Sequence, residues 1–229
     1  MANLDEAISA LRQGIPVLIH DSEDREAEVD MVFHASMVDP DRVNMLRTRA
    51  GGLICYATTW SIAFDLGLTW GDTLISMYGE LERLTRKRLG YGDRPAFTIW
   101  VNHKDVRTGI SDEDRAKTIR ALDSIIEDYY DKGPVVARER FLSEFQAPGH
   151  VPVLASRRLW ERQGHTELSI ALARLAGLRP SVAFAEMLDY GVSLRIDKAR
   201  KLAEEKGWPL VLGRDIIEAC RNDPVCWNN

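Results

Sequence analysis

Apolar positions along this chain fall into short runs bounded by glycine, proline and acids, and their spacing alternates between strand and helix periods. Leu4, Ile8 and Leu11 recur at helical spacing behind Asn3, a good N-cap residue, and Gly14 stops the helix. The run 16–20, Pro-Val-Leu-Ile-His, predicts a strand, and Met31-Val32-Phe33-His34 predicts another. Asp39-Pro40-Asp41 reads as the N-cap and N1 proline of a helix carrying Val43 and Leu46 and closed by Gly51-Gly52. A short strand over 53–57 and a helix over 60–66, ended by Gly67, follow. Residues 69–94 have mixed charge and weak period, which assigns no element. The β-branched and aromatic run 96–101 is a strand, and Ser111 caps a helix with Asp112-Glu113-Asp114 in its first turn. Ala116, Ile119, Leu122 and Ile126 form the buried stripe of that helix. A long connection is expected from Gly133 to His150, then a strand over 151–154. Thr166 is read as the cap of a helix bearing Leu168, Ala171, Leu172 and Leu175; a strand over 182–185 ends in Glu186. The tail reads helix 197–205, strand 210–212, helix 214–220. Hairpins and crossovers mix irregularly, which predicts an α/β or α+β layered domain rather than a doubly wound parallel sheet.

Between the first two strands stands Asp21-Ser22-Glu23-Asp24-Arg25-Glu26-Ala27-Glu28-Val29-Asp30, six carboxylates and one arginine in ten residues. With Asp21 to Asp24 as turn residues, alternation places Glu26, Glu28 and Asp30 on one strand face and Ala27, Val29 and Met31 on the other. Like charges in a row repel, and a divalent cation would offset that cost. A solvated charged turn is the plainer reading of such a run, but it has no reason to keep a period of two. An EF-hand fails, because its sixth and twelfth loop positions hold Glu26 and Val32 instead of Gly and Glu.

Composition narrows the class. The chain has 229 residues, 45% hydrophobic and 28% charged, enough for one large core and marginal for two. A net charge of −5 without a basic block disfavours nucleic-acid binding, and neither a membrane span nor a signal peptide is evident, so a cytoplasmic protein is expected. Cys55, Cys220 and Cys226 make no paired framework; Cys220 and Cys226 could bridge, but free thiols are expected in a reducing compartment.

A second constellation is Arg162-Gln163-Gly164-His165-Thr166-Glu167. Backbone amides at a helix start, a glycine, a hydroxyl and an arginine suit a phosphate, and His165 adds a possible metal ligand beside it. It is no P-loop, and taken alone it could equally be an ordinary helix cap with a surface histidine.

With Gly52-Leu53-Ile54-Cys55, Thr108-Gly109-Ile110-Ser111 followed by Asp114-Arg115-Ala116, and Pro148-Gly149-His150-Val151, these two stretches occur in the order and rough spacing of 3,4-dihydroxy-2-butanone 4-phosphate synthases. The chain resembles the single-domain archaeal form of that family over nearly its whole length. The resemblance implies a single domain over 1–229, an α+β three-layer sandwich with a mixed β-sheet flanked by helices, and a homodimer with its pocket at the interface. It implies a riboflavin-pathway lyase that converts D-ribulose 5-phosphate to 3,4-dihydroxy-2-butanone 4-phosphate and formate. The implied route is metal-stabilised enediolate formation, dehydration, skeletal rearrangement and formate loss, with Mg2+ or Mn2+. Glu26 and His165 match the family's metal ligands. Arg25, Asp30 and the loop Arg162, Gln163, Gly164, His165 and Thr166 match its substrate contacts, with Glu26, Asp21, Glu28 and Cys55 lining the same pocket. His150 and Glu186 match residues needed for turnover, with proton transfer as their expected role. Two departures stand out: Ala27 replaces a common glycine, and Trp100-Val101-Asn102 replaces a common Ser-Val-Asp. No fused second riboflavin enzyme is expected beyond Glu186. The alternatives are another metal-dependent phosphosugar isomerase or aldolase, separable by formate release, and a catalytically silent phosphosugar- or cation-binding module.

Overall fold

A computed structural model describes residues 2–90, 92–221 and 223–226. Its main sheet has seven strands, in chain order β1 (Val17–His20), β2 (Val29–His34), β3 (Cys55–Thr59), β4 (Phe97–His103), β5 (Phe145–Ser156), β6 (Val182–Glu186) and, last in the sheet, Leu210–Leu212. A small hairpin, β7 (Leu188–Asp189) with β8 (Val192–Ser193), intervenes and makes Leu210–Leu212 β9. The spatial order is β4-β5-β3-β6-β2-β1-β9. The sheet is mixed: β1 runs parallel to β9 and β3 to β5, while every other neighbouring pair is antiparallel.

Period-two alternation sends side chains into two cores. Leu18, Met31, Phe33, Tyr56 and Ala185 face one, closed by α2 (Pro40–Met45), α3 (Trp60–Asp65), α5 (Asp112–Lys132), α6 (Pro134–Glu144) and α8 (Ile196–Lys206). Val17, Ile19, Val32, Ala57 and Phe184 face the other, closed by α1 (Ala2–Arg12), α7 (His165–Leu175) and α9 (Gly213–Arg221). The remaining helix, α4 (Gly71–Ser76), lies beside β4, and a 3₁₀ run Gly79–Thr85 packs on α4, in the stretch whose sequence has weak period. The result is the expected three-layer α+β sandwich.

Most predicted elements appear, and the differences have physical causes. Asn3 lies inside α1 rather than at its cap, because its side-chain amide donates to the Leu210 carbonyl at 3.2 Å and ties α1 to β9. The expected loop between Gly133 and His150 is instead α6 and the first half of β5, so His150 is a strand residue. Pro148 and Gly149 look like loop formers in isolation, but pairing with β4, broken by register shifts, carries the strand through them. Cys220 and Cys226 are joined, against the expectation of free thiols: a 3₁₀ turn, Pro224–Cys226, brings the chain back until the Cα atoms lie 5.4 Å apart, within bridging range. Cys55 is a buried free thiol.

The loop before α5 is organised by one carboxylate. Asp114 accepts from the amides of Thr108 at 3.2 Å and Gly109 at 2.9 Å, while Ser111 caps the helix by accepting from the Asp114 amide. The bond from the Gly109 amide, with those from Thr108 and Arg107, holds its pKa down at about 2 against the opposing effect of burial. A depressed carboxylate stabilises the fold above its unfolded pKa, and that contribution is lost as pH falls through the folded one. Asp114→Ala should therefore lower stability near neutral pH by about 1 to 2 kcal/mol, the scale for removing an acceptor from orphan amides. Urea unfolding at a series of pH values checks this: the gap between variant and parent should close between about pH 4 and pH 2, and a gap that stays constant across that range would contradict it.

Candidate active site

The site follows from strand register. On β2, Val29, Met31 and Phe33 point into the α5 core, so Asp30 points with Val32 towards α7. On β6, Val182 and Phe184 face α7, and the same alternation brings Glu186 to that side. On β3, Cys55 and Ala57 do likewise. Asp30 pairs directly across from Glu186, and Cys55 from Phe184, so two carboxylates and a thiol share one end of the sheet beneath the start of α7. Asp30 is 1% exposed. Burial pushes its pKa up to about 8, against the pull of His165 and with help from Glu186, Glu26 and Glu28. Glu186 is also raised, chiefly by burial. Backbone wraps its carboxylate: the Leu53 amide donates to Oε2 at 2.8 Å, and a β-carbon on Gly52 would lie 2.4 Å from that oxygen. Only glycine fits at 52.

The acidic stretch departs from the predicted continuous strand. β2 begins at Val29, and Glu26 and Glu28 belong to a turn. The cause is Asp21, whose carboxylate accepts from the Glu26 and Glu28 amides, each at 3.1 Å, and curls the chain back before the ladder starts. The turn swings Glu26 off the strand face to 3.3 Å from His165 Nδ1 and 2.8 Å from Arg25 Nη1. Glu28 goes elsewhere and accepts from the Ser193 hydroxyl of β8.

At the other side of the cluster, Gly164 rather than Thr166 is the N-cap of α7; His165 and Thr166 are its first two residues and are buried. Glu167 explains the shift. Its carboxylate accepts from the Gly164 amide at 3.3 Å, from the Arg157 amide at 2.9 Å and from Arg162 Nη1, so the Gly164 N–H is committed to the fold. Arg162, 8% exposed, and Arg25 press on Gly164, where an added β-carbon would come within 2.4 Å of Arg162 Nη1 and 2.7 Å of Arg25 Nη2. Gln163 stands at the surface. Asp93 approaches both guanidiniums, 3.1 Å from Arg25 Nη2 and 3.7 Å from Arg162 Nε.

The donors present fit a hard divalent cation. Asp21, Glu26 and His165 each bring a ligand atom within 4.8 Å of the others, and Asp21 is an addition to the predicted pair. Among the described residues, His165 Nε2 and Asp30 Oδ1 are buried without a hydrogen-bond partner, as expected of groups awaiting one. Burial opposes charge on His165, yet Asp30, the Glu26 bond and Asp21 hold its pKa up at about 9: the imidazolium supplies the positive charge these acids need.

The sequence profile of 3,4-dihydroxy-2-butanone 4-phosphate synthase matches residues 5–219. The synthase of Archaeoglobus fulgidus is 42% identical over 228 residues, which cover 96% of this chain and 94% of that protein. The Methanosarcina mazei synthase is 40% identical, over 95% of this chain and 90% of its own length. A solved synthase structure, described as in complex with two magnesium ions, superposes with a TM-score of 0.76 at 26% identity, covering 97% of this chain and 98% of the other. The chain belongs to the 3,4-dihydroxy-2-butanone 4-phosphate synthase family.

In this synthase-family chain the fold gathers Asp21, Arg25, Glu26, Asp30, Arg162, His165 and Thr166, with Glu186 and Cys55 on the adjoining strands. His150 stands apart, on β5 across β3 from Glu186, and its hydrogen bonds go to Asn102. Asn102 Oδ1 accepts from the His150 amide at 2.8 Å, and its side chain also contacts the ring Nδ1 at 3.2 Å. The residue that departs from the family's common Ser-Val-Asp therefore holds His150 in place. Asp93 is a site neighbour the sequence did not single out, since it lay in the stretch without period; Asn102 was marked only as a departure and Glu167 only as the end of the second constellation.

The other departure is also legible in geometry. Ala27 has φ +53°, in the left-handed region that glycine enters freely. Ala27→Gly should raise stability by about 0.5 to 1 kcal/mol, since relief of the β-carbon clash outweighs the entropy of a freer unfolded chain. Chemical denaturation is the check: a loss of stability in this variant would show that the turn carries no strain.

Proposed function

We propose that this protein converts D-ribulose 5-phosphate to 3,4-dihydroxy-2-butanone 4-phosphate and formate, as a riboflavin-pathway lyase acting through one domain. The observation that carries the reading is the convergence of Glu26, His165 and Asp21 over the Asp30 and Glu186 pair, in a chain of this family. Mg2+ or Mn2+ held by Glu26 and His165, with Asp21 beside them, would supply Lewis-acid charge to neighbouring substrate oxygens. Arg25, Arg162 and the His165 and Thr166 amides at the start of α7 present positive charge and donors to one end of the pocket, which suits the phosphate. Glu186, its pKa raised by burial, is suited to take and return protons, and His150, oriented by Asn102, is its proposed partner. Asp30, Cys55 and Gln163 complete the proposed lining.

The protein is proposed to act as a cytoplasmic homodimer. Among the described residues no helix is long and apolar enough to cross a membrane. Support for a dimer comes from a cleft of about 740 Å³ beside β4, lined by Leu74, Ile75, Leu84, Phe97 and Trp100, with Leu84 73% and Trp100 40% exposed in the single chain.

Two experiments test the assignment. Glu26→Ala and His165→Ala should each abolish formate release from ribulose 5-phosphate while circular dichroism stays that of the parent; full activity of Glu26→Ala at ordinary magnesium would remove it from the metal site. For His150→Ser and Glu186→Gln the catalytic constant should fall at least a hundredfold, the scale of a lost acid or base, with substrate affinity by calorimetry nearly intact. Weak binding with normal turnover at saturation would make them binding groups instead.

A further inference from the structure

Four carboxylates surround Arg25 and Arg162, and three of them are built into the framework. Asp21 is held by the Glu26 and Glu28 amides, Glu26 meets His165, and Glu167 caps α7. Asp93 differs. It comes from the surface stretch before β4, its side chain is 29% exposed, and among the described residues the two guanidiniums are the only hydrogen-bonding or ion-pairing partners of its carboxylate. Three N–H groups converge on its Oδ2: Arg25 Nε at 3.2 Å, Arg25 Nη2 at 3.1 Å and Arg162 Nε at 3.7 Å. That last nitrogen is buried and has no hydrogen bond, since 3.7 Å exceeds bonding range. A single carboxylate oxygen thus stands at the focus of two nearly buried guanidiniums, one of whose donors it does not satisfy. A tetrahedral anion, with more oxygens and more charge, would satisfy all three.

We propose that Asp93 is a placeholder for the substrate's phosphate: in the ligand-free protein it occupies the focus of Arg25 and Arg162, keeps both forks aligned, and gives way when a phosphoryl group enters. This rests on the reading that the substrate carries a phosphate to that end of the pocket. The placeholder lowers affinity for phosphate, because the entering anion must displace a paired carboxylate, and it discourages binding of weaker anions. A merely structural role has the opposite sign: losing Asp93 would loosen the arginines and weaken phosphate binding.

The sign is testable with inorganic phosphate as probe. In titration calorimetry Asp93→Asn should bind phosphate about tenfold more tightly than the parent, the loss of one competing charge-assisted contact. Asp93→Ser should do the same if the asparagine variant folds poorly, Asp93→Glu should show no gain, and adding Arg162→Ala to Asp93→Asn should erase it. In turnover, Asp93→Asn should lower KM for ribulose 5-phosphate by more than it changes kcat. Equal or weaker phosphate binding by the folded Asn and Ser variants, or no detectable binding by any form, overturns the placeholder. Failure of the proposed reaction is separately visible, as absence of formate from the parent, and leaves the phosphate titration readable.

Discussion

The site depends on the antiparallel pairing of β2 with β6. That register sets Asp30 opposite Glu186, and alternation then turns both towards α7. Neighbouring carboxylates at one buried level of a sheet are costly: burial raises both pKa values, with Glu186 raising that of Asp30 further and Glu28 that of Glu186. The start of α7 brings His165 over the pair, which lowers both pKa values and offsets the repulsion, while Glu26, brought in by the hairpin turn, adds a further like charge beside Asp30. A slip of one residue in β2 would send Asp30 into the α5 core and Met31 into the site, so the apolar contacts of Val29, Met31 and Phe33 guard the chemistry.

Around this pair the charges are organised by a hierarchy of burial. Glu167, fully enclosed, is satisfied by two backbone amides and Arg162, and so acts as part of the helix start rather than as a reactive acid. Arg162 is in turn pinned by Glu167 through one nitrogen and left with another aimed at the pocket. Asp21 has the same kind of role in the hairpin, where backbone amides fill its oxygens and shape the turn that delivers Glu26. Backbone amides donate to Asp21, Glu167 and Glu186 and fix their positions, whereas Glu26 and Asp93 face the side-chain cations Arg25, Arg162 and His165.

His150 is supported by a different part of the molecule. Asn102 binds its amide and ring, and the same side chain closes against Gly109 in the loop that Asp114 organises. The β4–β5 edge and the start of α5 therefore act as one unit in presenting His150.

Alternating apolar runs, the acids at the start of α5, and the caps at Asp39 and Ser111 were sufficient to read most elements, because each is decided by local period or local hydrogen bonding. Glu26 and Asp30 were legible as a possible cation site and His165 as a possible ligand beside an anion site, while their specific roles and that of Glu186 came from the resemblance to the family. What the chain alone left undecided is long-range. Pro148 and Gly149 read as a loop until β4 paired with them, and residues 71–85 read as structureless because α4 rests against β4 and the 3₁₀ run against α4 instead of carrying an apolar stripe of their own. Nor could spacing reveal that Asp21 turns Glu26 out of its strand, that Asn102 holds His150, or that Asp93 reaches Arg25 from 68 residues away. Those contacts join side chains distant in sequence, and only the packing of the sheet against its two helical layers decides which of them meet.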